Sequence, residues 1–162
     1  MKMITLRVKE TATGGQINSP RDVYESIKEI GQADQETFWV IGYNEIHKEV
    51  FRKCLFMGGI NHTTVDPKIV FKRLLLYGAS SWIALHNHPS GKAYPSTDDL
   101  VITENLRKGS EILGLKMLDH LIIGDNTFYS FAEHFWNRNG HLNYEKPAKH
   151  RIRPRGLKPI SK

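Results

Sequence analysis

The alternation of apolar and polar positions divides this chain into a definite order of elements. Ser19-Pro20 followed by Asp22 reads as an N-cap, a first-turn proline and an acid favourable near the helix dipole. Val23, Ile27 and Ile30 then fall at helical spacing, so a first helix is expected near residues 20–30. Phe38 to Tyr43 is a short β-prone run, and Tyr43-Asn44-Glu45 turns it toward a second strand over Glu49 to Met57, predicting a hairpin. Asp66-Pro67 caps a second helix with Ile69, Val70, Leu74 and Tyr77 on one face and Gly78 at its end. Ser81 to Leu85 reads as a buried strand. Ser96 through Asp99 opens a third helix that passes Leu100, Leu106 and Ile112 to a stop at Gly114. Leu118 to Ile123, Gly124-Asp125-Asn126 and Thr127 to Phe131 predict a further hairpin. Helices alternating with strands and hairpins indicate an α/β (α+β) domain, a mixed β-sheet flanked by helices.

The ends of the chain lack this patterning. Gly14-Gly15 marks residues 1–18 as a loose lead-in, and after Trp136 the chain turns polar, with Pro147, Pro154 and Pro159. The expected organisation is a folded domain over residues 19–136 and a basic, disordered tail over 137–162. Composition fits: 162 residues with 40% hydrophobic and 25% charged is the profile of about one globular domain. The longest nearly apolar stretch, Leu74 to Leu85, is broken by Gly78, Ser80 and Ser81 and falls short of the roughly 18 residues a membrane-spanning helix needs. Arg7 stands where a secretory apolar core would continue, and Cys54 is the single cysteine, so no intramolecular disulfide forms and a cytoplasmic location is expected. The net charge of +6 is unevenly placed. From Arg138 onward eight Lys/Arg face Glu145 alone, a local +7 that leaves −1 for residues 1–137.

The segment His86-Asn87-His88-Pro89-Ser90-Gly91, followed by Pro95-Ser96 and Asp99, carries the chemistry. At the end of a strand, residues i and i+2 point to one face, so His86 and His88 can present two imidazoles to one ion. Pro89 ends the strand, and a loop leads to a helix opening at Ser96 that returns Asp99 toward the pair. Two imidazoles and one carboxylate leave a fourth position for water, which suits catalytic zinc better than a closed structural site. Each piece has a plainer account. The His pair alone fits the polar end of a strand, and Ser96 with Asp99 alone fits a helix cap. A ligand in a helix's first turn can serve both purposes.

These motifs resemble the signature of the RadC family, a branch of the JAB/MPN (JAMM) metalloprotease-like fold. Asp66-Pro67 with Val70-Phe71, and Leu118-Asp119-His120 with Ile122-Ile123-Gly124, resemble the family's flanking segments in order, so the likeness covers roughly residues 19–135. The resemblance implies the JAB/MPN (cytidine-deaminase-like) architecture and a zinc ion held by His86, His88 and Asp99, with Ser96 beside the reacting centre. It also implies a catalytic glutamate at the start of the first strand, where Glu36 stands. Glu45 and Glu49 compete for that role, because strand boundaries read from sequence shift by a few residues. His120 matches the family's Asp-His pair as a group behind the ligands, although a satisfied core histidine is the plainer account, and it is left out of the metal set. His47, His62, His134 and His141 show no ligand spacing.

The activity this implies is zinc-dependent hydrolysis of amide or isopeptide bonds in a protein or peptide substrate, with water as nucleophile and Glu36 as proton shuttle. Two rivals stand beside it. The family's name carries a DNA-repair label, and Arg151, Arg153, Arg155 and Lys158 could give weak nucleic-acid contact through the tail. No interleaved aromatics accompany those charges, and the lead-in is too short for the helix-hairpin-helix region common in the family, so a solvated tail is preferred. The other rival is a catalytically silent scaffold, against which the intact ligand set and Glu36 argue.

Overall fold

The computed structural model describes residues 12–16 and 19–136 of the chain. The strands are Thr37–Tyr43 (β1), Glu49–Met57 (β2), Ser81–Asn87 (β3), Lys116–Ile123 (β4) and Phe128–Ser130 (β5). The helices are Pro20–Glu25 (α1), Pro67–Leu76 (α2), Thr97–Leu113 (α3) and the single turn Phe131–His134 (α4). The strands join in one mixed sheet in the order β2-β1-β3-β4-β5. Only β3 and β4 run parallel, because α3 carries the chain back across the sheet between them. The fold is the α+β, helix-flanked mixed sheet that the patterning predicts.

β1 and β3 are buried along their whole length, and their alternation sorts side chains into two cores. Phe38, Val40, Trp82 and Ala84 pack with Val70, Phe71 and Leu74 of α2 and with Ile102 and Leu106 of α3. Trp39, Ile41, Tyr43, Ile83 and Leu85 pack on the opposite face with Val23 and Tyr24 of α1 and with Ile27 and Ile30. Each large apolar side chain so buried contributes about 1.5–3 kcal/mol. The parity continues to His86, which lies on the face shared by Phe38, Trp82 and α3. The fully buried Trp82 satisfies its indole N–H on Ser110 Oγ at 2.8 Å.

β3 runs two residues past the expected Leu85 and β4 starts two before Leu118, and two further boundaries differ for a visible reason. The first helix is not continuous to residue 30: α1 stops at Glu25 and a 3-10 turn follows at Lys28–Gln32. Arg52 Nη1 donates to the Ser26 carbonyl at 3.0 Å and Nη2 to Ser26 Oγ at 3.1 Å, while the Ile30 N–H turns to Ile27 O. A carbonyl claimed by a guanidinium is a natural place for the helical register to change. The last strand also ends earlier than Phe131. Ser130 Oγ accepts the Glu133 N–H at 3.1 Å and starts α4, so the chain leaves the sheet one residue sooner.

Arg52 itself forms a buried bidentate pair with Glu49, at 2.8 and 2.9 Å. Thr13 Oγ1 donates to Glu49 Oε2 at 2.7 Å, and the Glu49 N–H donates to Gly15 O, so residues 12–16 of the lead-in are tied to the hairpin. No described helix is long and apolar enough to cross a membrane. The basic segment 137–162 lies outside the described residues.

Candidate metal centre

β3 delivers His86 and Asn87 fully buried, and His88 stands just past the strand end with 14% of its side chain exposed. Across the gap, Ser96 and Asp99 form a complete capping box at the start of α3. Ser96 Oγ accepts the Asp99 N–H at 3.1 Å, and Asp99 Oδ2 accepts the Ser96 N–H at 2.6 Å. The cap therefore fixes the carboxylate as well as the helix. Asp99 Oδ1 lies 3.0 Å from His86 Nε2, and Oδ2 lies 3.3 Å from His88 Nε2. The two Nε2 atoms are 3.0 Å apart. One ligand atom from each of the three residues falls within 4.8 Å of the others, so the set that spacing alone suggested does converge.

Hydrogen bonding behind these atoms decides which of them carry protons. The buried Thr103 hydroxyl donates to the Asp99 carbonyl at 2.6 Å and so must accept from His120 Nδ1, also at 2.6 Å. With its proton on Nδ1, His120 offers a lone pair at Nε2 to His86 Nδ1–H, 2.9 Å away. His86 is thereby left with a bare Nε2. On the other ring, His88 Nδ1 donates to the Lys92 carbonyl at 2.9 Å, which leaves its Nε2 bare as well. Two imidazole lone pairs and a carboxylate thus face one point, and only a positive charge resolves that arrangement. In the absence of a metal ion, a proton can take that place. The donor set fits a cation held by three protein groups, the pattern of catalytic rather than structural sites.

The surroundings sharpen the effect. The Phe38 ring stacks on His86 and meets His120 edge-on, and Phe131 stacks on His120, so the relay is dry. Burial pushes His120 well below the ordinary histidine range, with the neighbouring His86 adding to the effect, as suits a neutral relay ring. For Asp99, burial favours the neutral form, but the proton that the facing His86 and His88 Nε2 atoms take up without a metal, together with the Ser96 N–H, outweighs it and holds the carboxyl far below the usual range. Burial also pulls His88 downward. The Asp99 carboxylate, the Lys92 carbonyl and the charge of Glu36 together outweigh that and raise it.

Glu36 precedes β1 at the same end of the sheet, where Phe38 pairs with His86. Asn87, the residue between the two histidines, anchors it from both sides. Asn87 Oδ1 accepts the Thr37 N–H at 2.8 Å and the Thr37 hydroxyl at 2.6 Å, while Nδ2 donates to Gln35 O at 2.9 Å. The Glu36 side chain accepts the Ile60 N–H on Oε2 at 2.6 Å. Its rivals are placed elsewhere. Glu49 is committed to Arg52 and Thr13, and Glu45 is exposed in the β1–β2 turn. At roughly 3.3 Å rise per residue that turn lies ~20 Å along β1 from His86. Ser96 is exposed beside the cluster, its oxygen engaged by the cap.

Sequence reasoning missed Asn87 and Thr103 and left His120 undecided. Thr103 had a signal: it follows Asp99 by four residues, on the same helix face. His120 is both things weighed for it, a satisfied core histidine and the group that orients His86. Of the histidines without ligand spacing, His47, His62 and His134 stay out of the cluster, and His141 lies outside the described residues.

A family model described as the RadC-like JAB domain matches residues 17–136. A UPF0758 protein of Shouchella clausii is 41% identical over 118 residues, covering 72% of this chain and 51% of that protein. One from Flavobacterium johnsoniae is 42% identical over 118 residues, covering 72% and 52%, and one from Halalkalibacterium halodurans is 37% identical over 129 residues, covering 79% and 53%. The chain spans about half the length of the curated relatives it matches. With that match running from the start of α1 to the end of the described fold, and with the His-His-Asp cluster at its centre, the chain belongs to the RadC-like JAB domain family.

Proposed function

We propose that this chain is a zinc-dependent hydrolase of amide or isopeptide bonds in protein or peptide substrates. The observation that carries the reading is the convergence of His86 Nε2, His88 Nε2 and the Asp99 carboxylate within 4.8 Å of one another, with Glu36 at the same sheet end. His86, His88 and Asp99 would hold the ion. When bound in such a site, zinc supplies Lewis acidity, lowering the pKa of water to about 7 and polarising a carbonyl.

The chain's own groups do the remaining work. Glu36 Oε2 is occupied by the Ile60 N–H, whereas Oε1 has no hydrogen-bond partner among the described residues. Oε1 takes the proton of the attacking water, and Glu36 then returns it to the departing nitrogen, so that one water is consumed and an acid and an amine are released. Such shuttling is worth roughly 10²- to 10⁴-fold in rate. The Ser96 oxygen already accepts from Asp99, so its hydroxyl proton is available to the oxyanion that forms as the carbonyl carbon becomes tetrahedral. His120, Thr103, Lys92 and Asn87 touch no substrate in this scheme; they hold the reacting groups in register.

The test is metal analysis of the purified chain together with a comparison of cellular proteins in cells expressing wild type or Glu36→Gln. Stoichiometric zinc in both forms, lost in His88→Ala, with conjugates or peptides accumulating only in Glu36→Gln cells, is the expected result. Protein that binds no divalent metal, or identical profiles from the two forms, would overturn it.

A further inference from the structure

Resting on that reading, we propose that His62 and Asp98, which belong neither to the ligand set nor to the helix cap, are positioning residues for Glu36. The segment between β2 and α2 runs over residues 58–66 and is built as a rigid arm. Asn61 Oδ1 accepts the N–H groups of Thr63 and Thr64 at 2.9 and 3.1 Å, and Thr64 Oγ1 accepts the Asn61 N–H at 2.9 Å. Val65 is buried in the core at one end of the arm, and Ile60 packs against the same core at the other. Two backbone groups of this arm meet Glu36: the Gly58 N–H donates to the Glu36 carbonyl at 2.9 Å, and the Ile60 N–H donates to its carboxylate at 2.6 Å.

Among the described residues, one side-chain contact fastens the arm on its outer side. His62 Nδ1 donates to Asp98 Oδ1 at 2.7 Å, and Asp98 sits in the first turn of α3, between the capping Ser96 and the ligand Asp99. The clasp therefore joins the element that grips Glu36 to the helix start that carries Ser96 and Asp99. Without it, the Ile60 N–H is free to withdraw from Oε2, and Glu36 loses the one hydrogen bond that sets its carboxylate plane. Fixing a proton-transfer group by such support is what pre-organisation requires. Both partners are about half exposed, which sets the scale. Exposed pairs of this kind change a local equilibrium by up to about fivefold.

The experiment is amide hydrogen exchange, resolved by residue, on the full zinc-loaded chain in wild type, His62→Ala, Asp98→Ala, the double variant and His62→Asn. An Asn side-chain N–H stands where His Nδ1–H does. The expected result is a drop in Ile60 protection of roughly three- to fivefold in each Ala variant, no further loss in the double, and recovery in His62→Asn. Val40 and Leu85, in the strands beneath, keep their protection, and so does zinc affinity. Once a turnover assay exists, the Ala variants lower kcat and leave KM in place. Unchanged Ile60 protection in His62→Ala, additive losses in the double variant, or His62→Asn as open as His62→Ala overturns the clasp. These readings do not depend on turnover, so an inactive wild type would refute the hydrolase reading and leave the clasp to be judged on exchange alone.

Discussion

Thr103→Val is the most direct probe of how the candidate metal centre is set, because it removes one hydroxyl at nearly constant volume from a residue that touches no ion. In the wild type that hydroxyl donates to the Asp99 carbonyl and accepts from His120 Nδ1. Valine leaves the His120 N–H without a partner in a fully buried site, at a cost of about 1–3 kcal/mol to folding. His120 can escape by moving its proton to Nε2, but that nitrogen then faces His86 Nδ1–H. His86 must in turn shift its proton to the Nε2 that points at Asp99 and His88. The ligand lone pair is lost two hydrogen bonds away from the substitution.

Loss of a partner behind a ligand typically weakens metal affinity 10- to 100-fold. At free zinc of 100 times the wild-type Kd, zinc stabilises the wild type by about 2.7 kcal/mol. A 10- to 100-fold weaker variant at the same free zinc retains only about 1.4 to 0.4 kcal/mol. Two measurements check this: zinc competition against a chromophoric chelator, and urea denaturation with and without zinc. Thr103→Val protein that is destabilised in its metal-free form yet binds zinc within threefold of wild type would refute the relay, since the hydroxyl would then support packing but not the tautomer of His86.

Two further outcomes follow from groups near the site. Burial pushes the Asp119 carboxyl up to about 7, although Ser130, Ala132 and His120 donate to it. Against about 3.9 when unfolded, the folded state holds a proton over pH 4–7 that the unfolded state has released. This contribution to stability is therefore present below pH 4 and lost as pH rises through 7, by roughly 2–3 kcal/mol between pH 5 and 8. Urea titrations of metal-free wild type and Asp119→Asn at those two pH values measure it, and equal pH slopes in the two proteins count against it. Gly124 packs so closely on the Gly91 carbonyl and the Ala93 N–H that a methyl group there meets backbone first, with the Thr127 methyl beside it. Gly124→Ala is expected to cost about 1–3 kcal/mol and to weaken zinc binding by displacing Lys92, whose carbonyl orients His88. Unaltered zinc affinity in a folded Gly124→Ala protein would separate that loop from the ligand.

What could be read from the sequence was what is local in the chain. His86 and His88 are two residues apart on a strand end, and Ser96 and Asp99 are three apart across a helix start, so short-range geometry announces both. That the two pairs meet was an expectation from their spacing and from the resemblance, and the fold brings them together. The relay behind them depends on β3 and β4 lying side by side in one register, Ala84 opposite His120, after a crossover through α3. No periodicity in either strand records that register. The break after α1 was hidden for a similar reason: Val23, Ile27 and Ile30 reach the same core whether or not the helix continues, and what ends it is Arg52 arriving from β2. The sequence left Glu36, Glu45 and Glu49 as alternatives, because an acid's neighbours in space, such as Arg52 and Thr13 beside Glu49, are not written beside a strand.

Asp99 answers to two masters, since one of its oxygens closes the first turn of α3 while the other points at His86. The three ligands are therefore unequal under evolutionary drift. His86 is locked in the core by His120, Asp99 is needed by its helix with or without an ion, and the His88 ring, though its backbone donates to the Ile123 carbonyl, is oriented from behind by a loop carbonyl near the surface. If the proposed hydrolysis were lost in a descendant, His88 is expected to be replaced first and Asp99 last, so a relative retaining the aspartate without the second histidine would mark loss of the proposed activity.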